Sequence, residues 1–289
     1  MTLTSVLIQL IKASLVTVML GLGLGLRLDQ LVAFRHRPWL LLRVSLGSCV
    51  LVPLVALLLL KMPWTQQISA GARFGLTLMA LSPSAPLTLR KAGLKGGDHH
   101  LAALLQVMAA LMAIVSVPLL GGLFREVYGV TGWDISPREV AIQVAVVHVL
   151  PLSLGLVLRG WKPELGDRWA PPVQRIAWWV AFIVICIILG IVSPQLVGFV
   201  WGNGPAILAM VGMTLAALAI GYVLAGQEPR ERITTALVIS MRNPGLAMLI
   251  ALSHGREIKG VKLAIVSYLL VTILTSIPFL RWSRRQASS

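Results

Sequence analysis

Long apolar runs alternate with short polar connectors along nearly the whole chain. Each run has about 20 residues, the length that an α-helix needs to cross the hydrocarbon core of a bilayer. In lipid, a run of this length satisfies its backbone hydrogen bonds by forming a helix. The pattern therefore predicts an all-α polytopic membrane protein with about nine transmembrane spans. The predicted spans cover residues 4–26, 39–60, 68–95, 98–123, 140–159, 173–193, 205–225, 231–254 and 259–280.

Two of these spans contain clusters of helix-breaking residues. The third span contains LSPSAPLTLRKAG, with Pro83 and Pro86, and the eighth contains SMRNPGLA, with Asn243, Pro244 and Gly245. Proline removes a backbone donor and clashes with the preceding turn, so each span is predicted to break into two half-helices joined by an unwound link. Kinks that serve packing alone are the alternative. Two multi-residue breaks at matched places favour a binding site near the middle of the membrane.

The composition argues against several functional classes. Of the 289 residues, 57% are hydrophobic and 12% are charged, and the mean hydropathy is +0.87. The formal net charge is +15, but the Lys and Arg residues are scattered through short connectors instead of one polar face, which argues against nucleic acid as a partner. The chain has no HExxH or GxSxG motif, and no acidic residue lies in the interior of a predicted span. We therefore expect neither an enzyme nor a metal site.

The basic residues also predict the orientation in the membrane. With nine spans, most Lys and Arg residues of the connectors fall on one side, together with those of the tail RWSRRQASS. The positive-inside rule then places the C-terminus in the cytoplasm and the N-terminus outside, and a bacterial inner membrane is expected. A basic cluster on the opposite side, Arg256 to Lys262, weakens this assignment.

The positions of the two broken spans indicate an internal repeat. We predict a single membrane domain over residues 1–289, with a first repeat at about 39–159 and a second at about 173–280. Residues 1–30 would then supply an additional N-terminal span. If the two repeats are inverted relative to each other, their discontinuous helices cross near the midplane, where secondary transporters bind substrate.

Four segments, in their order and spacing, resemble the bile acid:sodium symporter family. VMLGLGLGLRLDQL followed by RPW is similar to the first conserved helix and loop of the family, and LSPSAPLTLRKAGLKGGD is similar to its first crossover helix. VVHVLPLSLGLVLRGW resembles the Leu-Pro helix that follows, and MRNPGLA resembles the second crossover motif. The resemblance covers most of the chain. It implies a panel domain packed against a core domain with two crossed, discontinuous helices.

The sequence departs from this family at the positions that hold sodium. Typical members carry an acidic residue three positions before the methionine of the second motif and a glutamine directly after it, whereas this chain has Val238 and Arg242. The other aligned positions are Thr88 and Leu89 in the first crossover, Ala102 and Gln106 in the next helix, and Ser48 in the second span. Of these, Thr88 alone keeps a suitable side chain. Buried sodium needs several oxygen ligands, usually with one anionic, so the sodium sites are predicted to be degraded.

Arg242 is predicted to lie near the bilayer centre without an acidic partner. An arginine at the centre of a spanning helix costs about 2.5–3.5 kcal/mol even on insertion scales, so its guanidinium is expected to be paired. One hypothesis is that Arg242, together with Arg90, replaces the bound sodium as a fixed cation and holds a substrate carboxylate. Half-helices beginning near Ser84 and Pro244 would direct their positive N-terminal ends at the same point. The alternative is that the guanidinium bonds backbone carbonyls freed at the breaks, or extends to an interface, without a substrate role.

The candidate residues fall into three groups. The predicted substrate-binding residues are Ser82, Ser84, Thr88, Arg90, Gln106, Arg242, Asn243 and Gly245. The predicted break residues are Pro83, Pro86 and Pro244, and the degenerate sodium positions are Ser48, Leu89, Ala102 and Val238. His148, three residues before Pro151, could carry a proton, although a lone histidine in a span is more often a packed, hydrogen-bonded residue.

These residues favour a secondary carrier for a small or amphipathic organic anion. The expected partners are that anion and the lipid bilayer; no cofactor is predicted apart from a doubtful sodium ion, and self-association stays open. Two alternatives remain open. One is a membrane sensor or scaffold that keeps the fold without transport, and the other is a sodium-coupled symporter whose ion sites are displaced.

Overall fold

The computed structural model describes residues 3–27, 37–85, 97–128, 136–254 and 258–287. Within these ranges the secondary structure is helical, apart from turns, short links and one isolated backbone bridge, which confirms the predicted all-α class. The helices are α1 (Leu3–Gly25), α2 (Pro38–Lys61), α3 (Ala70–Leu81), α4 (His99–Tyr128), α5 (Pro137–Trp161), α6 (Pro163–Gly202), α7 (Gly204–Leu224), α8 (Pro229–Ser240), α9 (Pro244–His254) and α10 (Val261–Ala287). A single 3₁₀ turn, Pro63–Thr65, follows α2.

Seven of the described helices, α1, α2, α4, α5, α6, α7 and α10, are long and apolar enough to cross a membrane. Two shorter apolar helices, α3 and α9, belong to the predicted broken spans. The protein is therefore a multi-pass membrane protein. The structure corrects the bounds of one span in particular: residues 173–193 lie within α6, a helix of 40 residues. At 1.5 Å per residue α6 is about 60 Å long, which exceeds the roughly 30 Å of a hydrocarbon core, because a helix can continue through polar sequence beyond the lipid.

Both predicted breaks are present in the described residues. Helix α3 ends at Leu81, and the chain is extended from Ser82 onward. The second link runs from Met241 to Asn243 and not from Asn243 to Gly245 as predicted, because Pro244 begins α9. Proline is well tolerated at the first helical position, where its missing N–H costs no hydrogen bond. Pro86 lies outside the described residues, and the boundaries of the predicted repeats stay a prediction.

The helices pack as two groups. Helix α1 packs mainly against α5 and α6, whereas α7 packs against α2, α8 and α10, and α3 packs against α10. The division into a panel and a core domain stays a prediction. In the first group, the backbones of α1 and α5 touch at two glycines: a Cβ added to Gly23 would lie 2.3 Å from the Leu152 carbonyl oxygen, and one added to Gly155 would lie 2.6 Å from that of Leu20. Small residues at such crossings allow spanning helices to approach closely.

Two helices contain a π-helical segment that ends two residues before a proline. In α2 the segment is Gly47–Leu51, followed by Pro53, and in α5 it is Ala145–Val149, followed by Pro151. Proline has no N–H for the preceding turn, so the helical hydrogen-bond pattern changes locally. Each segment carries one side chain that reaches the second break, Ser48 in α2 and His148 in α5.

Candidate functional site

The two broken spans cross at their unwound links. Ser84 and Arg242 form an antiparallel backbone bridge. On either side of it, the Ala85 N–H donates to the Met241 carbonyl at 2.8 Å, and the Asn243 N–H donates to the Pro83 carbonyl at 2.8 Å. The backbone groups freed by each break are thus satisfied by the other break, as burial away from water requires. This confirms the prediction that the breaks face each other inside the helix bundle.

The guanidinium of Arg242 lies beside this crossing and is 2% exposed. Its Nε donates to the Met79 carbonyl at 3.2 Å, and Nη1 donates to the Ser48 hydroxyl at 3.0 Å and the Ile239 carbonyl at 3.4 Å. Its Nη2 donates to the Ser48 carbonyl at 3.0 Å and to the Ala80 carbonyl. A guanidinium has five N–H donors, so protein oxygens engage its full donor set.

These oxygens explain why the guanidinium takes this position. Met79 and Ala80 lie in the last turn of α3, and Ile239 lies in the last turn of α8, where carbonyls have no partner within the helix. The C-terminal end of a helix also carries partial negative charge. Arg242 therefore caps the first halves of both broken spans.

The sequence had suggested that Arg242 grips a substrate carboxylate beside the N-terminal ends of the second half-helices. In the described conformation its donors are already used, and it lies at the opposite, C-terminal, ends of the first halves. The geometry favours the alternative in which the guanidinium bonds carbonyls freed at the breaks. Arg90, the second predicted cation, lies outside the described residues.

The oxygens that accept from Arg242 are also relevant to whether sodium can bind at the crossing. Ser48 supplies two of the five oxygens around the guanidinium, although the sequence alignment had counted it as a lost ligand. Val238 and Ala102 are buried apolar residues, and Leu89 and Thr88 lie outside the described residues. All five of these oxygens accept from a fixed cation, so the predicted loss of the sodium sites stays a prediction that these contacts are consistent with. Across the described ranges, no cluster of three or more His, Cys, Asp or Glu side chains could hold a metal ion.

A cavity of about 80 Å³ lies next to the crossing, between the two groups of helices. Its walls are almost entirely apolar, and its polar lining side chains are Ser14 and Asn243. The lining residues are Ile11, Ser14, Leu15 and Val18 of α1; Ala181, Val184, Ile185, Ile188 and Leu189 of α6; Met248 of α9 with Pro244 and Gly245; Ile265, Val266 and Leu269 of α10; and Ala85 and Asn243 of the links. Ligand pockets in proteins are usually lined in this way, by apolar side chains with a few polar groups.

The predicted substrate-binding residues divide into two sets around this cavity. Asn243 and Gly245 line it, together with the break residue Pro244. Ser82, Ser84, Gln106 and Arg242 lie at the crossing but are not part of the lining. The walls from α1 and α6 were not predicted, because aliphatic side chains facing a cavity cannot be distinguished in a sequence from those facing lipid.

Gln106 contacts the first link, and Ser82 is the first residue of that link. The Gln106 amide donates to the Ala85 carbonyl at 2.6 Å, which holds α4 against the extended segment. The Gln106 Oε1 and Ser82 Oγ atoms have no hydrogen-bond partner among the described residues. Both residues stay predicted substrate contacts.

Asn243 connects the cavity to His148. Its Oδ1 accepts from the Leu246 N–H at 3.1 Å, so the side chain caps the N-terminus of α9. Its Nδ2 lies 3.1 Å from Nε2 of His148, a ring that is fully buried. The structure thus links the histidine singled out in the sequence to a residue that lines the cavity.

Comparison with known proteins gives two matches. The chain matches the model of the sodium bile acid symporter family over residues 13–199. It is 25% identical over 222 residues to the sodium/bile acid cotransporter 4 of Mus musculus, an alignment that covers 75% of this chain and 46% of the mouse protein. The chain therefore spans about half the length of this curated relative. The family match includes the first break, whereas the second break and Arg242 lie beyond it.

Proposed function

Because the chain belongs to the sodium bile acid symporter family, we propose that it is a secondary transporter of amphipathic organic anions. The observation that carries this proposal is the apolar cavity between the two groups of helices, bounded on one side by the second break. Secondary transporters bind substrate near the midplane at discontinuous helices, and one group of helices then moves against the other. The mouse relative is named as a sodium/bile acid cotransporter, which makes cholate and taurocholate suitable first probes.

The N-terminal turn of α9 supports an anionic substrate. The first N–H groups of a helix have no partner within the helix, and this end carries partial positive charge. Asn243 engages one of these groups, the Leu246 N–H, through its side chain, and its carbonyl accepts the first bond of the helix from the Ala247 N–H. Gly245, which lines the cavity, supplies a further backbone N–H for a carboxylate or sulfonate. The apolar body of the substrate would then lie along α1, α6 and α10.

Sodium coupling is the second part of the proposal. We propose that Arg242 substitutes for a bound cation at the crossing and that transport does not require sodium. Two unit charges about 4 Å apart interact by about 4 kcal/mol at an effective dielectric constant of 20, roughly a thousandfold in affinity. The guanidinium is covalently attached, so it would hold the two broken spans together at any salt composition. A sodium ion would do so only while it is bound.

Thermal stability in detergent gives a direct test of both parts. We expect cholate or taurocholate to raise the apparent melting temperature by the same amount in sodium, potassium and choline chloride, because a ligand that binds the folded state stabilises it by mass action. The nine tryptophans allow unfolding to be followed by intrinsic fluorescence. Stabilisation by sodium alone would show that cation ligands lie elsewhere in the chain.

Uptake into proteoliposomes separates a carrier from a sensor that only binds. Uptake of labelled taurocholate is expected to persist when choline replaces sodium, and to fall at least tenfold in Ala181→Phe, since an added ring fills a cavity of this size. Gly190→Phe on the same helix is the matched control, because a Cβ at Gly190 meets no atom within 4 Å. Binding without uptake would favour the sensor, and strictly sodium-dependent uptake would overturn the second part.

We also propose that the N-terminus lies outside and the C-terminus lies in the cytoplasm of a bacterial inner membrane, supported by the distribution of Lys and Arg. In a variant without Cys49 and Cys186, Gly202→Cys at the C-terminal end of α6 is expected to react with an impermeant maleimide added to intact cells. Ser289→Cys in the tail is expected to react only after the cells are opened. The reverse pattern would contradict the orientation.

A further inference from the structure

The contact between His148 and Asn243 fixes the state of both side chains. Asn243 Oδ1 is committed to the Leu246 N–H, so the group facing the ring is the amide Nδ2, a donor. His148 Nε2 must then accept a hydrogen, which places the ring proton on Nδ1. That Nδ1 is buried and has no hydrogen-bond partner in the described part of the chain. The ring is therefore neutral in this conformation, and one of its nitrogens is unsatisfied.

Adding a proton to this ring reverses the contact. Once Nε2 carries hydrogen, it faces another donor at 3.1 Å, and the pair can be restored only if the Asn243 amide turns over. The carbonyl oxygen of the amide would then accept from Nε2, and the Leu246 N–H would face an NH₂ group that cannot cap it. Protonation of His148 and capping of α9 by Asn243 thus exclude each other.

We infer that His148 is a proton-binding site linked through Asn243 to the cavity. Binding of one proton at Nε2 turns the Asn243 amide, uncaps the first turn of α9 and changes the wall that Gly245 and Pro244 contribute. Release of the proton restores the cap. The inference rests on the proposed function only where it assigns this proton to transport: the proton would then be the coupling ion in place of sodium.

The helices around His148 carry few other titratable groups, so a pH response at this place is assigned to the His148 ring. Helix α1, which packs against the π-helical segment, carries one charged side chain, the half-buried Lys12. Helix α4 has no titratable residue between 101 and 124, and α9 has none between 244 and 253. In α5 itself the other charges lie near the ends, at Arg138, Glu139 and Arg159. Arg242 precedes Asn243, but its guanidinium is directed at α2 and α3.

Hydrogen exchange of the α9 backbone tests the inference without any transport measurement. After correction for the chemical exchange rate, peptides covering residues 244–250 of the full chain in nanodiscs are expected to exchange about fivefold faster at pH 3.5 than at pH 8, the size expected for loss of one helix cap. His148→Gln should abolish this difference, since its amide oxygen accepts from Asn243 at every pH. His99→Gln, at an exposed position at the start of α4, should leave it unchanged.

Asn243→Asp supplies a second, independent variant. A carboxylate accepts from the protonated ring and from the Leu246 N–H at once, so α9 should stay protected at pH 3.5 although His148 is present. An unchanged pH response in His148→Gln or in Asn243→Asp would overturn the inference, as would equal protection at both pH values in the natural sequence. Cholate binding serves as a separate measurement: if cholate does not bind at any pH, the proposed substrate class fails while the exchange result stands.

Discussion

Arg242→Met is expected to lower the stability of the protein by about 3–5 kcal/mol, because five buried hydrogen bonds from a charged group are lost while the cost of burying that charge is removed. Methionine keeps an unbranched apolar stem but has no hydrogen-bond donor. Four carbonyls and the Ser48 hydroxyl would lose their partners inside the bundle, and each unsatisfied buried group costs about 1–3 kcal/mol. The apparent melting temperature is expected to fall by about 10 °C, because about 1 kcal/mol corresponds to 2–4 °C in a domain of this size.

Two further variants make this result specific. Arg43→Met removes an exposed arginine from α2 and is expected to change the melting temperature by less than about 2 °C. Arg242→Lys is expected to recover part of the loss, since an ammonium keeps the charge but has three donors and no planar fork. If Arg242→Met proves as stable as Arg43→Met, the guanidinium does not hold the crossing together.

Gly155→Val is expected to separate α1 from α5. A Cβ at this position would lie 2.6 Å from the Leu20 carbonyl oxygen and 2.8 Å from the Leu24 amide nitrogen, and both are backbone atoms that cannot move alone. Forcing extra atoms into packed contacts costs about 1–3 kcal/mol, so the apparent melting temperature is expected to fall by about 5 °C. Because α1 also supplies one wall of the cavity, binding of cholate or taurocholate should weaken in parallel.

The control for this steric effect is Gly190→Val on α6, where an added Cβ meets nothing within 4 Å. Both variants place a β-branched residue in a spanning helix, so their difference reports the contact and not the change in helix propensity. Equal melting temperatures for the two variants would contradict the close crossing of α1 and α5.

The sequence by itself determined the membrane class, the approximate spans and the places of the two breaks. These features are local: about 20 apolar residues must form a helix in lipid, and proline interrupts the helical hydrogen bonds wherever it falls in the interior. Even here the bounds of α6 were predicted wrongly, because hydropathy shows which residues can lie in lipid but does not show where a helix ends. The family followed from the order of four motifs, and the matched model over residues 13–199 agrees with it.

Only the tertiary structure shows which end of a broken helix each side chain contacts. A break creates a positive and a negative helix end within a few residues, and the sequence cannot show which of them lies beside a given side chain. Arg242 was expected beside the positive ends with a substrate anion, yet it lies against the C-terminal carbonyls of α3 and α8. The pairing of Asn243 with His148 likewise joins residues 95 positions apart, and the cavity is formed by aliphatic side chains of separate helices. Contacts of this kind depend on how the helices pack against one another, which no local pattern of hydrophobic residues encodes.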